Sequence, residues 1–397
     1  MTVDATIARG KDKPAGSILN DPKVRGLIYQ AITLILIVVF IYWVASNTVE
    51  NLRRANIASG YDFLNGRAGF DVGQSLIAFT SDSTYGRALV VGFFNTILVA
   101  VTGIITATII GFLVGIGRLS KNWLIAKLSL VYVEVFRNIP PLLVIFFWYS
   151  GVLAVLPHPR DSLKLPLDIY VNNRGLAFPS AVFNANSQYT IFALIIAVIA
   201  SFAIARFARK RQMETGQRFP TLWAVLGLVI GLPLAVFFMT GMPISFDIPV
   251  AGKFNLTGGM VVGPEFLSLY LALSFYTAAF IAEIVRAGIR GVSHGQSEAA
   301  HALGVRPGLT TRLVVVPQAL RIIIPPLTSQ YLNLTKNSSL AIAIGYADLV
   351  AVGGTILNQT GQAVEVVSIW IIVYLTLSLT TSVFMNWFNA KMALVER

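Results

Sequence analysis

The chain has no cysteine and only three histidines in 397 residues. Disulfides, thiolate metal centres and cysteine redox chemistry are therefore excluded, and His158, His294 and His301 do not form a metal-binding pattern. Charge is also scarce. Asp, Glu, Lys and Arg make up 12% of the chain, against about 25% in soluble domains. The residues are 55% hydrophobic and the mean hydropathy is +0.72, so most of the surface must face lipid rather than water. The net charge of +12 would suggest nucleic acid in a soluble protein. Here the basic residues cluster at the ends of apolar runs, so they report topology and no nucleic-acid partner is expected. There is no G-x-x-x-x-G-K-[S/T]. The nearest glycine-rich stretch, Gly353 to Gln362, offers no lysine to a phosphate, so the chain is expected to bind neither ATP nor any other cofactor itself. Within the apolar runs the carboxylates and imidazoles that a membrane-embedded enzyme would need are nearly absent.

What the chain does contain is a series of long uncharged runs. Residues 1–25 are polar and read as a cytoplasmic tail. Gly26 to Val49 is 24 residues without a charge, enough to span the ~30 Å hydrocarbon core of a bilayer. The run is longer than a usual signal-peptide apolar region and lacks a small-x-small cleavage pattern, which favours a retained helix. A polar loop over 50–87 follows, then a 30-residue uncharged run over 88–117 with glycines at 92, 103, 111, 115 and 117. Such glycines let helices pack closely, a structural role.

Arg118 to Arg137 is basic and amphipathic and suits the cytoplasmic interface. A third span is expected from Asn138 to Pro159, a proline- and asparagine-rich loop over 157–187, and two spans near 188–208 and 220–241 joined by a basic turn. The loop over 242–263 leads to a sixth span, 264–284. A seventh covers 325–344 and an eighth 366–387, with a basic tail over 391–397. The expected fold is an all-α polytopic membrane protein of about eight transmembrane helices. No extramembrane segment is long enough to form a separate lobe. With the N-terminus inside, the inside segments hold 21 of the 30 Lys and Arg residues and the outside segments eight, as the positive-inside rule requires. Both termini are then cytoplasmic.

One inside segment carries a distinctive pattern. Glu283 to Pro317 is basic and partly polar, and it reads as a short docking helix. Glu298 is expected in its first turn, where a carboxylate suits the helix dipole. Ala299, Ala300 and Ala302 would let a partner approach closely. Gly304 falls at an αL C-cap position, with Pro307 beyond it as a stop signal. A helix of about ten residues is marginal alone, so outside contacts must hold it.

The run Glu298-Ala299-Ala300, three residues, Gly304, nine residues, Val314-Val315-Val316-Pro317 resembles the EAA loop of permease subunits in bacterial ABC importers, with Val314 and Val316 as conservative departures. Arg137-Asn138-Ile139-Pro140-Pro141 and Leu334 to Leu349 are similar to segments of the polar amino-acid branch; the Asn337 form resembles importers of L-amino acids generally. The resemblance covers about 88–156 and 263–390. It implies a type I importer permease core over 88–390, with 157–262 an inserted helical hairpin and 26–87 an extra N-terminal span and periplasmic loop. The segment 286–321 becomes the cytoplasmic coupling loop, and Glu298, Ala299, Ala300, Gly304 and Pro317 its candidates for contact with the ATPase subunit. The implied partners are two cytoplasmic ATP-binding subunits, a second permease (similar or identical), a periplasmic amino-acid-binding protein and the bacterial inner membrane. ATP is used by the partner subunit, and the chain itself is a transport subunit rather than an enzyme.

Ionisable residues inside spans are expensive and usually functional. Lys336 lies between uncharged runs of 14 and 11 residues. With Asn337, Ser338 and Ser339 it is expected to break the helix and line a translocation path. Alternatively it snorkels, or pairs with a carboxylate such as Glu283 for structural reasons; Glu283 and Glu134 themselves lean structural. A secondary transporter remains the competing class, but such proteins show inverted repeats with broken helices in both halves, and only one candidate break and no repeat are present. The eight-span topology makes a direct prediction. A cysteine replacing Gln212 should react with an impermeant maleimide only from the cytoplasm, and one replacing Asn173 only from outside; labelling of both from one side would remove the inserted hairpin.

Overall fold

A computed structural model of the chain describes residues 22–54, 60–252 and 255–392. Of the expected tails, 1–21 and 393–397 lie outside the described residues. Twelve α-helices are present among the described residues: α1 (Pro22–Arg54), α2 (Tyr85–Gly117), α3 (Trp123–Asn138), α4 (Pro141–Phe146), α5 (Ser187–Thr215), α6 (Thr221–Met239), α7 (Pro264–Arg290), α8 (His294–Ala302), α9 (Pro307–Thr310), α10 (Val316–Asn337), α11 (Leu349–Thr360) and α12 (Ala363–Met392). Among the described residues, seven helical segments are long and apolar enough to cross a membrane. The ends follow local chemistry. The Asn122 side chain accepts from the Leu124 and Ile125 amides at the start of α3, Asp348 accepts from the Ala351 amide at the start of α11, and Gly361 closes α11 in the left-handed conformation.

Two expectations change. The third crossing does not begin at Asn138. Its place is taken by α3 and the segment α4 plus a π-helical turn over Phe147–Leu153, two pieces bent by 111° that are long and apolar enough for a span only when taken together. The segment expected to lie at the cytoplasmic interface packs along α7: the Tyr132 hydroxyl donates to the Phe275 carbonyl at 2.6 Å, and Val133 is fully buried. Its basic ends mask an apolar middle, and the bend falls at Ile139-Pro140, where the residue before a proline is driven to extended backbone (φ −102°, ψ 134°). Counted as one span, the pair brings the crossings to eight.

The second change lies in the loops expected to be irregular. They form strands: β1 (Leu163–Leu165), β2 (Ile169–Asn172), β3 (Gly175–Phe178), β4 (Ser180–Phe183), β5 (Ile244–Asp247), β6 (Val250–Ala251), β7 (Leu256–Thr257) and β8 (Met260–Val262). All pairings are antiparallel, and one sheet has the order β1-β2-β3-β8. Strand β3 pairs with β8, Leu176 opposite Val262, so the two loops flanking the α5–α6 hairpin are stitched together across it. Strands this short do not announce themselves by alternation, because each is two to four residues long.

The core is the contact of α2 with α7. A β-carbon built on Gly111 would lie 2.6 Å from Ile281 Cβ, and one on Gly115 2.7 Å from the Ala282 carbonyl oxygen; no real side chain fits there. The apolar face of α7 (Leu269, Leu273, Ala278, Ile281, Val285) is wholly buried against α2, α10 and α3. Hydroxyl pairs lace the helices where apolar packing gives no direction: Thr106 with Tyr270 at 2.7 Å and Thr108 with Tyr331 at 2.9 Å. A second cluster joins the start of α2 to α11 and α12 through Ala88, Leu349, Val352, Ile356 and Val366. Asn95, fully buried, donates to the carbonyls of Gln74 and Ala347 and so ties the preceding loop to the turn before α11.

Overpacking a close helix contact costs about 1–3 kcal/mol. Gly111→Ala should therefore lower the thermal midpoint of the detergent-solubilised protein by several degrees. Gly227→Ala, on α6 with nothing within 4 Å of a new β-carbon, should leave it unchanged. Equal midpoints for the two variants would show that the α2–α7 approach is not the tight contact.

Candidate functional site

Two features stand apart from the packed core: the α8–α9 loop at one end of the bundle, and an exposed polar face on α10. Glu283 lies near the foot of the first. It is bound by both Arg118 and Arg286, with Glu134 4.0 Å from Arg118. This charge cluster joins the end of α2 to the end of α7 and fixes where the chain leaves the bundle. Both carboxylates have structural partners, as the sequence suggests.

Helix α8 begins at His294, so Glu298 falls in its middle rather than in its first turn, 3.9 Å from the His294 ring. The alanine-rich stretch extends helix toward its start, and Ser293 takes the cap position. The end matches expectation. Leu303 is the C-cap and Gly304 follows at φ +74°. The Gly304 amide donates to the His301 carbonyl and the Val305 amide to the Ala300 carbonyl, the two bonds of a Schellman closure. Ala300 is buried beneath the helix, whereas Glu298, Ala299 and Gly304 are exposed. Pro307 does not end α8; it starts α9, where its missing N–H costs nothing. A π-helical turn over Thr311–Val315 leads into α10, and Pro317 sits in the first turn of that helix. Pro317 therefore shapes the return to the membrane, while Glu298, Ala299 and Gly304 form the outward surface.

The sequence pattern misses two features here. Gln318 donates to Gln296 at 3.2 Å and clips α8 to α10. Leu303 (83% exposed), Leu309 and Leu313 stand in the open, an apolar edge beside the exposed face of α8. The available signal is their position: leucines flanking a glycine and proline punctuated loop cannot reach the core.

The four candidate path residues separate. Lys336 is exposed, Asn337 and Ser339 are half-buried, and Ser338 is fully buried with its hydroxyl donating to the Thr335 carbonyl. Ser338 thus belongs to the packing and not to an open face. Nor does the helix break. It tightens from α to 3₁₀ over Ser338–Ile344 and stops at Gly345, φ +77°. The hydroxyls of Ser338 and Ser339 each bond a carbonyl three residues back, a local competition that favours the tighter turn. Lys336 does not pair with Glu283, which Arg118 and Arg286 occupy, and it has no ion-pair partner among the described residues. Ser329 and Asn333 are exposed in line with it, at the i, i+4, i+7 spacing of one helical face. That spacing was readable within an apolar run. Beyond Ile342 and Gly345, a cavity of about 420 Å³ is lined also by Asp71, Gly73, Thr355 and Asn358. No group of three or more histidines, aspartates or glutamates among the described residues could hold a metal.

Residues 210–394 match the family described as binding-protein-dependent transport system inner membrane component. The chain is 69% identical to the general L-amino acid transport system permease protein AapQ of Rhizobium johnstonii, over 100% of this chain and 99% of the relative. It is 48% identical to the putative amino-acid ABC transporter permease protein YhdX of Escherichia coli, over 95% and 96% of the two chains. It is 41% identical to the glutamate/glutamine/aspartate/asparagine transport system permease protein BztB of Rhodobacter capsulatus, over 96% of each. The α8–α9 loop, the apolar spans and these full-length likenesses agree: the chain belongs to the family of inner membrane components of binding-protein-dependent transport systems.

Proposed function

We propose that this chain is one of two permease subunits in an ATP-driven importer that carries L-amino acids across the bacterial inner membrane. The observation that carries the reading is α8 itself. It is a short helix closed by its own Schellman bonds, clipped to α10, and presenting Glu298, Ala299 and the apolar Leu303 edge to the outside at the end of the bundle. A surface of that kind suits a groove on a soluble partner. In this reading the loop 286–321 is cytoplasmic, two ATP-binding subunits dock on the two coupling helices, and a periplasmic binding protein delivers substrate. The amino-acid class rests on the names of the relatives. The permease core spans 88–390, with 157–262 as an insertion, and both termini are cytoplasmic.

The physical step is a rigid-body one. Closure of the ATPase dimer moves α8, and α8 is tied through Gln318 to α10 and through the chain to α7. The polar stripe of α10 moves with it. Ser329, Asn333 and Lys336 have no place against lipid, since a bare charge in hydrocarbon costs several kcal/mol. They face water and the second permease, and the cavity at Asp71 and Asn358 is the outer mouth. Lys336 offers a fixed cation to the substrate carboxylate where the effective dielectric is low. Asn337 and Ser339 border that path.

Two variants test the reading. Gly304→Asp places a side chain at φ +74°, where L-residues are disfavoured, but nothing lies within 4 Å of its β-carbon. The protein should insert normally and lose uptake, because the new charge enters the docking surface; normal uptake would sink the role of this glycine. Lys336→Met keeps most of the side-chain length and removes the charge. Assembly and basal ATPase activity should persist while uptake falls at least tenfold, equivalent to about 1.4 kcal/mol. Normal uptake of acidic, neutral and basic amino acids in an assembled variant would place the path elsewhere.

A further inference from the structure

A basic cavity of about 330 Å³ lies between the starts of α3 and the end of α7, apart from both α8 and the polar stripe. Arg118, Lys127, Arg286 and Arg290 line it with Trp123 and Leu130. The acidic groups facing it are Glu283, already bound by Arg118 and Arg286, and Glu134, 4.0 Å from Arg118. Lys127 and Arg290 have no ion-pair partner among the described residues. The floor is rigid, since the Arg118 side chain is only 10% exposed and its partner Glu283 24%. Positive charge therefore remains uncompensated at a preformed concavity.

The walls differ in character. Outside the cavity, α3 presents Trp123 (74% exposed), Leu124, Leu128 and Val131 to the surroundings. A site with a basic floor, an indole at its rim and an apolar flank fits a molecule with an anionic head and apolar tails. Indole rings favour the membrane–water boundary, and basic pockets between membrane helices hold anionic headgroups. We propose that this cavity binds the phosphate of an anionic phospholipid headgroup, with Lys127 and Arg290 as the recognising cations and Trp123 at the glycerol level. The shared chemistry is a phosphate anion. The apolar flank assigns it to a lipid rather than to a soluble phosphate. Its leaflet, the cytoplasmic one, follows from the orientation proposed above, but binding itself does not depend on that orientation.

The test uses the purified assembly in nanodiscs with spin-labelled phosphatidylglycerol or phosphatidylcholine. Phosphatidylglycerol should be retained in preference to phosphatidylcholine, and the double variant Lys127→Gln/Arg290→Gln should reduce that preference at least fivefold. Each single variant should give an intermediate loss, which keeps the test open if the double variant fails to fold. Lys127→Arg should restore the preference. An unchanged preference in folded variants would overturn the proposal. So would displacement of phosphatidylglycerol by excess inorganic phosphate, which would assign the cavity to a soluble anion. Loss of copurifying ATP-binding subunits with lipid preference intact would make the cavity a protein contact and overturn it equally.

Discussion

The fold rests on the close approach of α2 and α7, where Gly111 and Gly115 let one helix backbone meet Ile281 and Ala282 of the other with no side chain between them. In lipid the hydrophobic effect does not drive helices together, so packing at short range and polar ties must do it. The same two helices carry the Thr106–Tyr270 pair within the bundle and the Arg118–Glu283–Arg286 cluster at their ends. Everything with a functional reading is positioned from this pair. Helix α8 leaves from the end of α7, α10 packs against both, and the basic cavity is formed where α3 crosses the end of α7.

Charge is used sparingly and for different purposes. Glu283 is neutralised by two arginines, so it fixes geometry and has nothing left to offer a ligand. Lys336 is the opposite case, exposed and without an ion-pair partner among the described residues on a face shared with Ser329 and Asn333. The contrast matters because both lie in otherwise apolar runs. An unpaired cation on a polar helical face requires water or another subunit beside it, while a paired carboxylate requires only its partners.

The positions of the spans other than the third were readable in advance because a bilayer demands about 20 apolar residues in succession, and that demand acts locally. The glycines of α2 were readable for the same reason: small residues on a membrane helix have one main use. The Glu298-to-Pro317 motif was legible as spacing, and its Gly304 closure follows from the need for positive φ after a helix end. The start of α8 was not legible, because Ser293 and Gly295 resemble loop residues until the packing of Ala300 holds the turn. The polar group Lys336 to Ser339 was legible as a cluster, but its separation was not, since which of these side chains meets the core depends on how the end of α10 packs.

Composition and order alone determined the membrane class, the uncharged runs and the Glu298-to-Pro317 spacing, because each depends on residues close together in the chain. Tertiary structure decided the rest. It stitched β3 to β8 across the α5–α6 hairpin, brought Arg118 to Glu283, and left Lys336 without an ion-pair partner among the described residues. These outcomes depend on groups dozens to hundreds of residues apart meeting in space, and pairing of that kind leaves no local periodicity to read.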